Sequence, residues 1–169
     1  KLFKRFALPE KTENLYPFQL SGGMARRVLV STALITDAQL IIADEPTPGM
    51  SLSQALEALQ MFRELANEGK AVILITHDID LAFEFADRVA VFYAGTTVET
   101  APVKDFKIGP DALRHPYSKA LWRALPQNGF QPIGGFQPYA GNLPKGCLFA
   151  PRCPYATEQC QTQVPPMQE

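Results

Sequence analysis

The sequence predicts an α/β fold, a parallel sheet with flanking helices, followed by a small extension rich in proline and cysteine. Three observations carry that expectation. Helical and strand-like apolar patterns alternate through residues 22–93. The runs "AQLIIADEP" (residues 38–46) and "AVILIT" (residues 71–76) are short and bounded by breakers, as in parallel strands buried on both faces. Near residue 101 the composition shifts, and all three cysteines and most of the 15 prolines lie beyond it.

Residues 22–35, "GGMARRVLVSTALI", are apolar at helical intervals with two arginines on one side, which predicts a helix. After the first strand, Ser51 or Ser53 is placed to cap a helix over "QALEALQMFRELANE", and Gly69 stands where a left-handed C-terminal residue belongs. The second strand leads into a helix over "HDIDLAFEFADR". "VAVFYAGTTVETA" predicts two strands turning at Ala94–Gly95, an antiparallel edge on the parallel sheet. The expected divisions are residues 1–36, 37–101 and 102–169.

A formal charge of −1 over 169 residues offers no basic surface for nucleic acid. The apolar runs fall well short of the roughly 20 residues that cross a bilayer. "KLFKRFALPEKTENLYPF" lacks the apolar centre of a signal peptide. These features lead us to expect a soluble, cytoplasmic protein whose membrane association comes through partners.

In an open parallel sheet, ligands gather beyond the carboxyl ends of the strands. Asp44 and Glu45 follow one strand, His77 and Asp78 the other. A strand-end carboxylate accepts magnesium-bound water in phosphoryl-transfer sites, giving Asp44 that role. Side chains alternate along a strand, so Glu45 points elsewhere and is expected to be free to polarise a water. His77 is placed to hydrogen-bond a terminal phosphate. In "LSGGM", Ser21, Gly22 and Gly23 stand at a helix N-terminus, where backbone N–H groups and the helix dipole favour an anion.

"LSGGM…RR", "LIIADEPT" and "ILITHD" resemble the signature motif, Walker B strand and histidine switch of ABC-transporter ATPases. "YPFQLSGGM", "YAGTTVET", "HPYSKALWRALP" and "GCLFAPRCPYATEQC" extend the resemblance to the ATP-binding subunits of oligopeptide, dipeptide and nickel importers. The resemblance implies that Asp44 supports magnesium, Glu45 is the catalytic base, His77 senses the γ-phosphate, and Ser21, Gly22 and Gly23 bind ATP. It also implies a second ATPase subunit (in a homo- or heterodimer), membrane permease subunits, an external solute-binding protein acting indirectly, and a place on the inner face of the cell membrane.

Two departures stand out. No G-x-x-x-x-G-K-[ST] phosphate loop occurs: the one Gly-Lys pair, Gly69–Lys70, is followed by Ala71 and preceded by Glu64 where the first glycine belongs. The chain is therefore expected to be the C-terminal part of a longer subunit, inactive by itself. Family members work as head-to-tail dimers, the signature motif of one subunit closing over ATP held by the other. Secondly, Ser51 occupies the position at which the family's D-loop carries aspartate. A catalytically silent module for assembly or metal sensing is the competing expectation.

In the extension, "HPYSKALWRALP" reads as a short amphipathic helix with Tyr117, Leu121, Trp122 and Leu125 on its apolar face. Cys147, Cys153 and Cys160 follow C-x5-C-x6-C, which is not zinc-finger spacing. An odd cysteine count without a secretion signal argues against a disulfide framework. Resemblance to related subunits raises the expectation of a 4Fe–4S cluster, or zinc, held with an exogenous fourth ligand.

Overall fold

A computed structural model describes residues 2–167. In chain order the elements are α1 (Leu2–Arg5), α2 (Gly22–Ala33), β1 (Leu40–Asp44), α3 (Leu52–Asn67), β2 (Ala71–Ile75), α4 (Ile79–Phe85), β3 (Arg88–Tyr93), β4 (Thr96–Pro102), α5 (Val103–Ile108), α6 (Pro116–Ala124) and α7 (Glu158–Thr162), with short 3-10 turns between some of them. They fall into two compact units, Lys1–Phe85 and Ala86–Glu169.

The first unit is built on a β–α–β crossover. β1 and β2 pair in parallel, from Leu40 opposite Ala71 to Asp44 opposite Ile75. α3 joins them and buries Ala55, Ala58, Leu59, Phe62 and Leu65, a stripe at helical spacing. Ser51 caps it: its Oγ accepts from the Gln54 N–H, and Gln54 Oε1 accepts from the Ser51 N–H. Gly69, at φ 93°, ends the helix in the expected left-handed conformation.

The strands are buried on one face only. Ile41 and Ala43 join the core with Leu59, Phe62, Leu65 and Leu81, and Val72 and Leu74 pack against it. The opposite face leaves Ile42 61% and Ile75 48% exposed. An apolar run covers both faces of a strand, but only the face under α3 meets a partner among the described residues.

The second unit departs from expectation in its sheet. β3 and β4 form their own two-stranded antiparallel sheet instead of an edge on the parallel one. The turn is where the sequence puts it: Ala94 at φ 48° and Gly95 at φ 84° supply the paired positive dihedrals of a tight hairpin. Such a turn fixes local pairing and specifies nothing about which strand lies beside the hairpin. Around it Val91, Tyr93, Ala101, Phe106, Leu113 and Phe149 are buried. α6 forms as its pattern predicts, except that Leu125 lies just past the helix in extended backbone.

Candidate functional site

The in-register parallel pair brings both strand ends to one level. The Glu45 N–H donates to the Ile75 carbonyl at 2.9 Å, extending the ladder one step past Asp44. The chain then turns at Glu45 itself, which adopts φ 43°, a left-handed conformation uncommon outside glycine and asparagine. That turn sends the carboxylate to the end of β2. Its Oε1 accepts from the His77 backbone N–H at 3.2 Å and lies 2.8 Å from His77 Nδ1. The hydrogen bond to Glu45, then its charge, hold the His77 imidazole above its ordinary pKa. The other oxygen, Oε2, is buried without a hydrogen-bond partner. Glu45 is therefore engaged by His77 here, whereas its side-chain alternation suggested a free carboxylate.

Asp44 is exposed at the strand end, and among the described residues no hydrogen bond to its carboxylate is seen. An exposed carboxylate at a strand end suits a hard divalent cation that keeps several waters. Asp78 is spent locally: Oδ1 accepts from the Leu81 N–H at 3.1 Å, capping α4. His77 is 80% exposed, and its Nδ1 pairing leaves Nε2 for an outside partner.

Ser21 caps α2, its Oγ accepting from the Met24 N–H at 3.3 Å, which leaves the hydroxyl proton to donate elsewhere. A Cβ built on Gly22 or Gly23 would meet nothing within 4 Å. Packing inside the chain therefore does not require glycine at either position. Absent side chains keep the first N–H groups of the helix open to an approaching group. Ser21, Gly22 and Gly23 share no hydrogen bond with Asp44, Glu45 or His77 among the described residues.

Arg26 was legible in the sequence only as one of two arginines on a helix. It reaches from α2 to the turn after β1, Nη2 donating to the Glu45 carbonyl and Nη1 to the Pro48 carbonyl, each at 3.4 Å. Its neighbour Arg27 pairs with Glu57 of α3 at 2.7 Å.

In the second unit the expected cluster site does not form. Cys147, Cys153 and Cys160 are free thiols, and among the described residues no group of three or more His, Cys, Asp or Glu side chains could hold a metal. The Cys147 N–H donates to the Cys160 carbonyl at 2.9 Å, so backbone pairing closes this loop. Gly146 is required there, because an added Cβ would collide with the Cys160 carbonyl and the Gln161 backbone. Arg152 takes over the ordering role: it donates to the Gly134 and Ile133 carbonyls at 2.8 and 3.0 Å and to the Tyr93 hydroxyl at 3.3 Å. Cys160 is held below the usual thiol pKa by its hydrogen bond with Thr157.

Comparison with known proteins matches residues 1–48 to the ABC transporter family and residues 98–160 to the oligopeptide/dipeptide transporter C-terminal region. The dipeptide transport ATP-binding protein DppD of Haemophilus influenzae is 42% identical, over 94% of this chain and 48% of that protein. The oligopeptide transport ATP-binding protein AppD of Bacillus subtilis is 38% identical, over 95% of this chain and 50% of that protein. The chain thus spans about half the length of the curated relatives it matches. Among solved structures, the dimeric MJ0796 bacterial ABC transporter cassette is 30% identical with a TM-score of 0.53, over 60% of this chain and 44% of that one. The MJ1267 cassette, at 24% identity, shares the fold with a TM-score of 0.55, over 66% of this chain and 45% of that one. By its motifs, its fold and these matches, the chain carries an ABC transporter segment over residues 1–48 and an oligopeptide/dipeptide transporter C-terminal region over residues 98–160, and along its length it is similar to the ATP-binding proteins of such transporters.

Proposed function

We propose that this chain supplies the Walker B, histidine-switch and signature elements of an ATP-hydrolysing importer subunit. The observation that carries the reading is the juxtaposition of Glu45 and His77, beside the uncommitted Asp44, at the carboxyl ends of two parallel strands. Asp44 would hold the waters of a magnesium ion accompanying ATP; the ion would neutralise phosphate charge. Glu45 would take the proton of the attacking water, and His77 would steady the terminal phosphate. Ser21, Gly22 and Gly23 would close over ATP held by a second ATPase subunit, for which their open N–H groups are suited.

The relatives' names support peptides as cargo and lend nothing to nickel. Permease subunits, an external solute-binding protein and the inner membrane face belong to the same proposal. No helix among the described residues is long and apolar enough to cross a membrane. The cysteines do not fit a cluster or zinc site, so neither enters the mechanism.

Ser51, at the position where the resemblance leads us to expect aspartate, favours a second reading: an assembling but catalytically silent module. The deciding experiment is magnesium-dependent ATP turnover by the full-length subunit with its ATPase partner, beside the 169-residue chain alone. Turnover in the pair and none in the chain is expected. ATP binding without turnover in the pair would favour the silent module.

A further inference from the structure

The geometry points to Arg26 as a positioning residue for the Glu45 carboxylate, and this inference rests on the catalytic reading of Glu45 given above. Glu45 occupies an unfavourable left-handed conformation, which persists only when its surroundings over-determine it. Three sets of contacts do so. Its N–H donates to Ile75, its carbonyl accepts from Arg26, and its carboxylate accepts from His77. Ile75 and His77 both lie at the end of β2, so Arg26 is the anchor from a different element.

The guanidinium fork suits this task. One arm reaches Glu45 and the other Pro48, so a single planar group spans the turn after β1. An ammonium has no such fork and would hold one carbonyl less firmly. Arg26 also lies on α2, the helix opened by Ser21, Gly22 and Gly23. The end expected to meet one nucleotide is thereby tied to the backbone of the base serving another. Displacement of that end would be felt at Glu45 through a half-buried side chain, within one polypeptide.

The test uses the full-length subunit with its ATPase partner and compares Arg26→Ala, Arg26→Lys and Arg27→Ala. A catalytic group misplaced by about 1 Å can cost on the order of 100-fold, so Arg26→Ala should lower kcat roughly 10- to 100-fold. KM for ATP and Tm should stay near wild type, and Arg26→Lys should recover part of the rate. Arg27→Ala, which removes the pair with Glu57, should keep wild-type kcat. Unchanged kcat in Arg26→Ala overturns the inference, as does a loss that follows a falling Tm and recurs in Arg27→Ala. A wild-type pair that turns over no ATP would instead defeat the catalytic reading itself.

Discussion

The two units spend their polar groups in opposite ways. In Lys1–Phe85 the reactive side chains stand at the rim: His77 is largely exposed, Asp44 is uncommitted, and one face of the β1–β2 pair shows Ile42 and Ile75 to solvent. In Ala86–Glu169 Glu99 and Arg152 are spent on internal contacts. The Glu99 carboxylate, 7% exposed, accepts from the Arg114 and His115 N–H groups. Tyr93, Tyr117 and Phe149 pack ring against ring, with Arg152 over Tyr93 and Phe149. Buried polar groups with partners specify a local structure, whereas exposed groups without them are available to a ligand. The polar groups open to a ligand at the strand ends therefore lie in the first unit, and the second shows self-contained packing around Phe149.

The strongest way to break that contrast is to hollow out the second unit. Phe149 is 2% exposed, and Phe149→Ala should destabilise it by about 3–5 kcal/mol, read by denaturant unfolding. A cost below 1 kcal/mol would mean that the ring cluster does not organise this unit. Next in size is His77→Ala in the full-length pair. With His77 in its proposed role as donor to the terminal phosphate, its loss should lower kcat about 100- to 1,000-fold while leaving the Tm almost unchanged. A Tm loss of several degrees would make His77 structural and blur the distinction.

His115 offers a smaller, pH-dependent probe. Its Nδ1 accepts from the Tyr117 N–H at 3.1 Å, and burial holds the imidazole below its ordinary pKa against the opposing charge of Glu99. A folded pKa depressed in this way leaves the unfolded chain the better proton binder. The cap's contribution is present above the ordinary histidine value and is lost as pH falls through the lowered folded one. His115→Asn keeps an acceptor without the titration, so its Tm should vary less between pH 7.5 and 5.5 than that of the unsubstituted chain. Parallel pH profiles would remove His115 from the account. Smallest of all, Thr157→Val should slow alkylation of Cys160 near neutral pH by releasing the thiol from its hydrogen bond; an unchanged rate would show that the bond does not activate it.

Local features were legible in the sequence because their causes are local. Ser51 caps α3, Gly69 ends it, the hairpin turns at Ala94–Gly95, and α6 forms within "HPYSKALWRALP". The strand-end placement of Asp44, Glu45 and His77 followed from apolar runs meeting polar residues. What escaped depends on contacts distant in sequence. Nothing in "ADEPT" announces that Glu45 turns left-handed and binds His77, 32 residues away. Arg152 joins Tyr93 across 59 residues, and its partners Gly134 and Ile133 are backbone carbonyls that any residue supplies. Cysteine spacing suggested a shared metal, but spacing fixes proximity only within a regular element, and these thiols stand on turns and a five-residue helix.

Ser51 shows how structure sharpens a sequence departure. Aspartate caps helices as well as serine does, so Ser51→Asp leaves α3 capped and changes only the charge beside the turn. We propose that restoring this charge in the full-length pair raises turnover severalfold; an unchanged rate would mark the position as tolerated variation.

The most direct test concerns Glu45, the proposed base for the attacking water. Glu45→Gln keeps the size and hydrogen-bonding reach of the side chain but removes its basicity. In the full-length subunit with its partner, ATP should still bind in the presence of magnesium while turnover falls about 100- to 10,000-fold. Wild-type turnover in that variant would contradict the account.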